Sequence, residues 1–382
     1  MKKYGMVWIV VLLAISVIAV SCSSSAVGNQ NSNENPGQQS TQSTESTESN
    51  SGGGSTALEE KEMEKNISIG THPQGTNYNT MGTAFASVIS KYSPVKVTAR
   101  PFSGPNAWMP LLNDTNEVQL GAISAPDANW AFTGKVTYKE PNKNLRLLVR
   151  GQYIHGIGLT VKKDSGIQTV SDLKGKRVAS EYSGNQIFKL YADAQLAMAG
   201  LSWDDVRPVP VSDLNSGIEA LREGRVDAAI GGAPESAVTV EAHNAVGGLV
   251  ALDMAEAKPD QNGKFSQELV DEFQSYVPGA DFVISQSGFL SRETVIVQYP
   301  GLIVTNAQLS DDAAYEIVKS IWENYEELQP ILPLLKDYNT EQIFDPNPAV
   351  PYHPGAMKFY KEQGVWNDSS EKRQQELLEL AK

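Results

Sequence analysis

The sequence is poor in the residues that most often announce chemistry. Its 382 residues include 1 cysteine and 4 histidines. A lone cysteine excludes an intrachain disulfide and any cysteine-rich metal site. His72, His155, His243 and His353 are scattered, with no H-x-x-x-H pair, so no zinc centre is expected and each is read as a surface or capping residue. No G-x-G-x-x-G or G-x-x-x-x-G-K-[ST] stands at a strand–helix junction, which leaves nucleotide binding unsupported. There is no G-x-S-x-G elbow. His353, in "PYHPGA", has no serine or cysteine partner at a recognisable spacing, and the stretch reads as a structural turn. No cofactor, metal or enzymatic activity is expected. Positive charge is also scarce: 31 Lys+Arg face 45 Asp+Glu, a formal charge of −14. That balance argues against nucleic acid and against adsorption to anionic lipid by charge alone. It leaves the sign of a small ligand open.

What is present begins with an export signal. Residues 1–21, "MKKYGMVWIVVLLAISVIAVS", place two lysines before a short apolar run and then small residues, as a signal peptide does. Cys22 follows at once, and "AVSC" resembles a bacterial lipobox with Ala19 in its first position. Cleavage there leaves Cys22 as a lipidated N-terminus and predicts an extracytoplasmic protein anchored to the cell membrane. Residues 22–65 are dominated by Ser, Thr, Gln, Asn and Gly, too polar to fold. They form a flexible tether reaching about 35 Å.

From Asn66 the composition becomes globular, and one order of elements occurs twice. "NISIG" reads as a strand, residues 80–92 as a helix with Met81, Ala84, Phe85, Val88, Ile89 and Tyr92 on one face, and "VKVTAR" as a strand. "PNAWMPLLND" is partly helical, "VQLGAIS" a strand, and "APDANW" leads into another helix. In the second copy "RVAS", "VRPVPV" and "RVDAAIGG" are the strands. A helix carrying Ile187, Leu190, Tyr191, Ala194, Met198 and Leu201 follows the first, and "SDLNSGIEALREG" the second. The architecture repeats, though the residues do not. This predicts an α/β protein of two lobes with the periplasmic-binding-protein-like fold, each a mainly parallel sheet flanked by helices, with a ligand cleft between them. The first lobe is expected from 66–155 and 286–382, the second from 156–285, with hinge crossovers near 156 and 285. Residues 310–328 form an amphipathic helix whose Tyr315, Val318, Ile321, Trp322 and Tyr325 stripe braces the first lobe.

In parallel sheets ligands sit beyond the carboxyl ends of the strands, at helix N-termini. Five loops meet that description: "THPQGTNYN", "RPFSGPNAW", "ISAPDANW", "EYSGNQ" and "GGAPESA". They supply the candidate ligand contacts. Gly75 and Gly184 permit close backbone approach, and Thr76, Asn77, Ser183, Asn185 and Gln186 offer hydrogen bonds. Helix N-termini there suit a carboxylate without any basic cluster. Asn77 and Thr80 serve equally well as caps for the helix at 80–92, and Ser103 and Gly104 as a simple turn. Trp108 and Trp130 are suited either to packing or to covering a ligand. Ser124, Asp127, Pro234 and Glu235 complete the set; the two acidic residues belong on a solvated rim unless the ligand has an amine. Arg100, Arg146 and Arg150 are candidates for a carboxylate clamp.

Three separated motifs give the chain a family resemblance over residues 66–366. Thr71 to Gly82 matches a T-G-P-T-G-G-T-Y-Y-P-I-G pattern at Thr71, Pro73, Gly75, Tyr78 and Gly82, departing at His72, Gln74, Thr76, Asn77 and Asn79. "DSGIQTVSDLKGKRVA" with "SGIEALREGRVDAAI", and the late "VPYHPGAMKFYKEQGVW", follow in order. The chain thereby resembles the TAXI family, the extracytoplasmic solute receptors of one class of TRAP transporter. The resemblance implies a two-lobed receptor that closes on a small organic anion, glutamate or another small carboxylate, and hands it to a TRAP membrane permease. It also favours Tyr78 as a pocket wall. Thr76 and Asn77, standing for a Gly-Thr pair, are expected to alter which head group fits. The same lobes and tether would serve an ABC-type importer, or a sensor lipoprotein that partners a membrane receptor.

Overall fold

The computed structural model describes residues 61–255, 257 and 259–382. The expected signal peptide, Cys22 and the tether as far as residue 60 lie outside them. The chain starts with β1 (Asn66–Thr71), α1 (Asn77–Tyr92), β2 (Lys96–Pro101), α2 (Pro105–Asn113), β3 (Leu120–Ser124) and α3 (Ala125–Thr133). After the long β4 (Leu145–Lys162) the same order returns: β5 (Arg177–Glu181), α4 (Ile187–Met198), β6 (Arg207–Val211), α5 (Leu214–Arg222), β7 (Ala228–Gly232) and α6 (Ala237–Ala245). Then come β8 (Leu249–Ala251), α7 (Gln267–Tyr276), β9 (Asp281–Ser285) and β10 (Thr294–Asn306). The chain finishes with α8 (Asp311–Glu323), α9 (Thr340–Ile343), α10 (Pro354–Glu362) and α11 (Asp368–Leu380).

The fold is α/β with two lobes. Each has a parallel core of three strands, β2-β1-β3 and β7-β5-β6, and the full strand order is β2-β1-β3-β10-β4-β7-β5-β6. The strands at the centre of that order, β4 and β10, are long and antiparallel, a feature the sequence reading did not foresee. β4 pairs with β10 as far as Gly156, opposite Val297, and from Ile157 onward with β7. It therefore belongs to both sheets. β10 is irregular around Gly301, where its register against β4 shifts between Pro300 and Leu302 and again between Ile303 and Val304.

Helix starts follow local chemistry. α1 begins at Asn77, three residues earlier than the apolar period suggests, because Thr76 caps it by accepting from Asn79 N at 3.3 Å. Neither Asn77 nor Thr80 is the cap. Asp213 caps α5 through Ser216 N, and Ser310 caps α8 through Ala313 N. α4 ends at Met198, and Gly200 takes the left-handed conformation (φ 71°) that closes such a helix. α8 stops at Glu323, short of the expected 328, and packs on α1 and α10 with Val318 and Ile321 fully buried. Its cap Ser310 also donates to the Glu64 carboxylate at 2.7 Å. His353 is the N-cap of α10, accepting from Gly355 N through Nδ1 at 3.2 Å, with Nε2 3.0 Å from Leu309 O. Burial lowers its pKa to about 4. Among the described residues no helix is long and apolar enough to cross a membrane.

Candidate functional site

The carboxyl ends of the parallel strands face one another, and loops from the two lobes touch there. His72 and Gln74, just after β1, meet Asn185 and Asn215 of the second lobe. Asn185 Nδ2 lies 3.2 Å from His72 Nδ1, and Asn215 Nδ2 donates to Gln74 O at 2.9 Å. Gln186 N donates to Asn106 Oδ1 at 3.1 Å, and Val238 N to Gly75 O at 3.3 Å. Two glycines make the closest approach possible. A Cβ on Gly104 would stand 2.2 Å from Gly184 O, and a Cβ on Gly184 2.2 Å from Ser103 Oγ.

These contacts close over a cavity of about 20 Å³. His72, Thr76, Asn77 and Tyr78 wall it from the first lobe, and Phe188, Leu214, Ala233 and Ser236 from the second. Ile154, His155, Gly156 and Tyr299, on the crossing strands β4 and β10, complete the wall. The space takes one water-sized group.

The wall is buried yet polar, and much of it has no hydrogen-bond partner. Both side-chain polar atoms of Asn77, the Tyr78 hydroxyl, His72 Nε2 and Asn185 Oδ1 are unpartnered. Orphaned buried polar groups cost free energy, so their clustering in one place makes this cavity the candidate site. With the Asn185 amide donating to Nδ1, the His72 proton sits on Nε2, a donor on the cavity side. His72 stacks on Tyr78 at 4.4 Å, and desolvation lowers its pKa to about 3, which keeps it neutral. Burial likewise raises the Tyr78 phenol well above its ordinary range. Beside Tyr78, Ser124 caps α3 and donates to Asp127 Oδ2 at 2.9 Å. Asp127 is 1% exposed, and burial pushes its pKa up to about 7.

The other candidates are placed as follows. Gly75, Ser103, Gly104, Gly184 and Gln186 lie at the contact between the lobes. Ser183 is exposed, beyond the wall. Pro234 O accepts from Phe289 N, and the Glu235 carboxylate accepts from the Ser287 hydroxyl; their loop-mates Ala233 and Ser236 face the cavity instead. Trp108 is wholly buried within the first lobe, covering Gly70 and Gly121, where a Cβ would come within 2.8 Å and 2.2 Å of its ring. It is a packing residue, and the fully enclosed Trp130 of α3 is another buried member of the core. The arginines are engaged elsewhere: Arg100 with Glu117 O, Arg146 with Lys143 O and Leu145 O, Arg150 over the Tyr153 ring. His72 and His155, expected at the surface or as caps, are on the cavity wall. The sequence reading also missed Tyr299, which sits in a strand that reads as plain core. A larger groove of about 620 Å³ lies apart from these loops, lined by Thr169, Asp253, Ala255, Pro259, Ile284 and Arg292.

Residues 69–364 match the model of the NMT1-like family. The chain belongs to that family. The match covers nearly the whole stretch on which the motif resemblance rests. This NMT1-like protein is also similar to several solved structures. The alkanesulfonate-binding protein SsuA of Xanthomonas axonopodis pv. citri, bound to MOPS, is 18% identical with a TM-score of 0.41, over 82% of this chain and 85% of that one. PhnD1 of Prochlorococcus marinus, in complex with methylphosphonate, is 12% identical with a TM-score of 0.45, over 79% and 99%. MatC of Rhodopseudomonas palustris, with bound malate, is 12% identical with a TM-score of 0.47, over 83% and 99%.

Proposed function

We propose that this NMT1-like protein is an extracytoplasmic solute receptor that captures a small organic carboxylate between its lobes and delivers it to a membrane permease. One observation carries the reading: the cavity lies where both lobes' loops converge, and the first-lobe side of its wall presents unpartnered donors. His72 Nε2, Asn77 Nδ2 and the Tyr78 hydroxyl, with the N-terminal turn of α1, form a neutral donor set of the kind that binds a carboxylate without an arginine. The reading is of capture and release by hinge closure, without turnover.

The TAXI motifs extend it to a permease of the TRAP type, with Cys22 as the lipid anchor. An ABC-type importer would use the same lobes, and uptake driven by an ion gradient or by ATP separates the two. Replacing Cys22 with Ala is expected to release the protein from the membrane fraction.

The first test is a thermal-shift screen of protein denatured and refolded to strip co-purified ligand. Glutamate, glutamine, 2-oxoglutarate, C4-dicarboxylates and small monocarboxylates form the panel. A ligand that binds only the folded state raises Tm by mass action. One sharp response supports the receptor reading; silence across the panel overturns the carboxylate assignment.

A further inference from the structure

Besides the two outer strands of its main order, the sheet has an edge at β9, and that edge is left open. The outer strands are blunted against pairing. β2 carries Lys96 and Arg100 and ends in Pro101, and β6 is "RPVPV", whose Pro208 and Pro210 have no N–H to donate. β9, "DFVIS", has none of these devices, and among the described residues it pairs only with β10. The direction of its main-chain groups follows from β10. Opposite Ile284 stands Val295, whose N–H donates to Asp253 Oδ1 and whose carbonyl accepts from Met254 N, both at 2.8 Å. Those bonds turn Val295 away from β9, which makes Val295 and Ile284 a non-hydrogen-bonded pair of the antiparallel ladder. Phe282 and Ile284 therefore present their main-chain groups on the outer side. Phe282 N donates to the Asp281 carboxylate at 2.8 Å, while Phe282 O, Ile284 N and Ile284 O have no partner among the described residues.

The open edge runs between two grooves. One, of about 550 Å³, is lined by Phe265, Val270 and Val283. The other is the groove of about 620 Å³ that includes Thr169 and Asp253. Ile284 and Pro259 border both, and Ile284 is 37% exposed. An unpaired edge beside apolar grooves suits an extended segment that adds as a further strand, with alternate side chains entering the grooves. Charge selects that segment. Residues 251–298 contain eight Asp or Glu against three Lys or Arg, and Arg292 is held by Asp253 at 2.8 Å. Asp281 and Glu293, both exposed, stand at the rims. A second copy of this chain would set the same acidic surface against itself, and an anionic lipid surface would be repelled as well.

We propose that the β9 edge docks an extended, lysine- or arginine-bearing segment of a protein partner as an added strand. The inference rests on the receptor reading for the partner's identity, the permease, and adds where and by what chemistry it is held. Asp281 is an exchangeable cap. The incoming carbonyl takes over Phe282 N, and the carboxylate so released pairs with the incoming cation. The edge is also joined to the cavity. Two residues past β9, the Ser287 hydroxyl donates to the Glu235 carboxylate, in the loop whose Ala233 and Ser236 wall the cavity. On β10, Gln298 of the groove directly precedes Tyr299 of the wall.

Two end-blocked peptides probe the edge of the whole protein: Lys-Thr-Val-Thr-Lys-Val-Lys, and the same peptide with each Lys replaced by Glu. Calorimetry gives their affinities, and amide hydrogen exchange reads the Ile284 N–H. The cationic peptide is expected to bind at least about 10-fold more tightly than the acidic one at low salt, with the gap narrowing as salt rises. Exchange at Ile284 should slow about 10-fold or more when it binds. Asp281→Lys should weaken it about 10-fold. Ile284→Pro removes an N–H that the ladder with β10 does not use, and should weaken it by a similar factor in a protein that still folds. Both variants should keep the parent's thermal-shift response to solutes. Binding of neither peptide, equal binding of both, or unslowed exchange at Ile284 overturns the docking edge, and a persisting solute response then leaves the receptor reading intact. Docking by a protein that answers no solute upholds the edge and overturns the receptor reading instead.

Discussion

Gly184→Ala isolates lobe closure from folding. Gly184 does not occupy the left-handed region, so alanine adds no backbone strain there. It does add a Cβ that would lie 2.2 Å from Ser103 Oγ and 2.4 Å from Ser103 Cβ. Relieving those contacts parts the two loops by about 1 Å, because interiors are close-packed and the repulsive wall is steep. The gap falls beside the inter-lobe bonds of Asn185 with His72 and Gln186 with Asn106. Those of Asn215 with Gln74 and Val238 with Gly75 depend on the same approach. At about 0.5–1.5 kcal/mol each, losing these four bonds costs about 2–6 kcal/mol, at least about 30-fold in ligand affinity. Calorimetry with a ligand from the thermal-shift screen measures the loss, and small-angle scattering at saturation reads whether the molecule still compacts. Ser103→Gly in the same chain removes the two nearest obstructing atoms, leaving the residue 103 backbone carbon at 3.0 Å, and should restore most of both. A Gly184→Ala protein that binds as tightly and compacts as fully as the parent would refute the idea that this contact gates closure.

Asn77→Leu should raise the ligand-free stability by about 1–2 kcal/mol, since it removes a buried amide with neither polar atom bonded, and should abolish the ligand-induced rise in Tm. Trp108→Ala should lower stability by about 3–5 kcal/mol, seen in urea unfolding, and leave the affinity of the folded fraction unchanged, because the ring packs on Gly70 and Gly121 away from the cavity. Acid should destabilise the fold through His72 and His353, whose pKa values burial lowers to about 3 and about 4. The unfolded chain then binds more protons below the ordinary value near 6.5, so the stability these groups contribute is complete above that pH. Each should lose about 1.4 kcal/mol per pH unit below it until the folded pKa is reached. Asp127 has the opposite sign: its raised pKa favours the folded state at low pH, and that advantage fades as pH climbs toward about 7. His72→Gln should flatten the acid limb of a Tm–pH profile, and an unaltered limb would remove His72 from the account.

The units that local chemistry specifies were legible in the sequence. Amphipathic period marks α1, α4, α5 and α8, though the cap of α1 fell on Thr76 rather than Asn77 or Thr80, and short apolar runs mark the parallel strands, because each is decided within about ten residues. β4 and β10 were not legible as long strands. Both are buried on two faces along much of their length, so their side chains do not alternate. Their role as the shared spine is fixed by pairing across more than 130 residues of chain, as Gly156 with Val297. The candidate site divides along the same line. The loops after β1, β2, β5 and β7 were identified because ligand loops occupy a fixed place in parallel sheets, and they do meet. Tyr299 and Ile154 went unseen because they come from the spine. Tyr191 and Trp108 illustrate a further limit: an aromatic at a helical period says that a face is buried, not whether its polar atom will find a partner there.

Those partnerless atoms explain how so small a contact could be made conditional. On the proposed receptor reading the four hydrogen bonds between these loops favour closure, but closing also buries His72 Nε2, both polar atoms of Asn77, the Tyr78 hydroxyl and Asn185 Oδ1 without partners. Each such burial costs about 1–3 kcal/mol, as much as or more than one of the bonds gains. Closure around a cavity that supplies no partners is therefore close to balance or unfavourable. A solute that bonds even two or three of these atoms changes the sign, because its contribution exists only when both walls are in place. A ligand shifts a two-state equilibrium only by its differential affinity for the two states. Here that difference is built from polar side chains left unsatisfied on opposite lobes. Filling them with well-packed apolar residues would hold the lobes shut and remove the dependence on ligand, which is the behaviour Asn77→Leu is designed to expose.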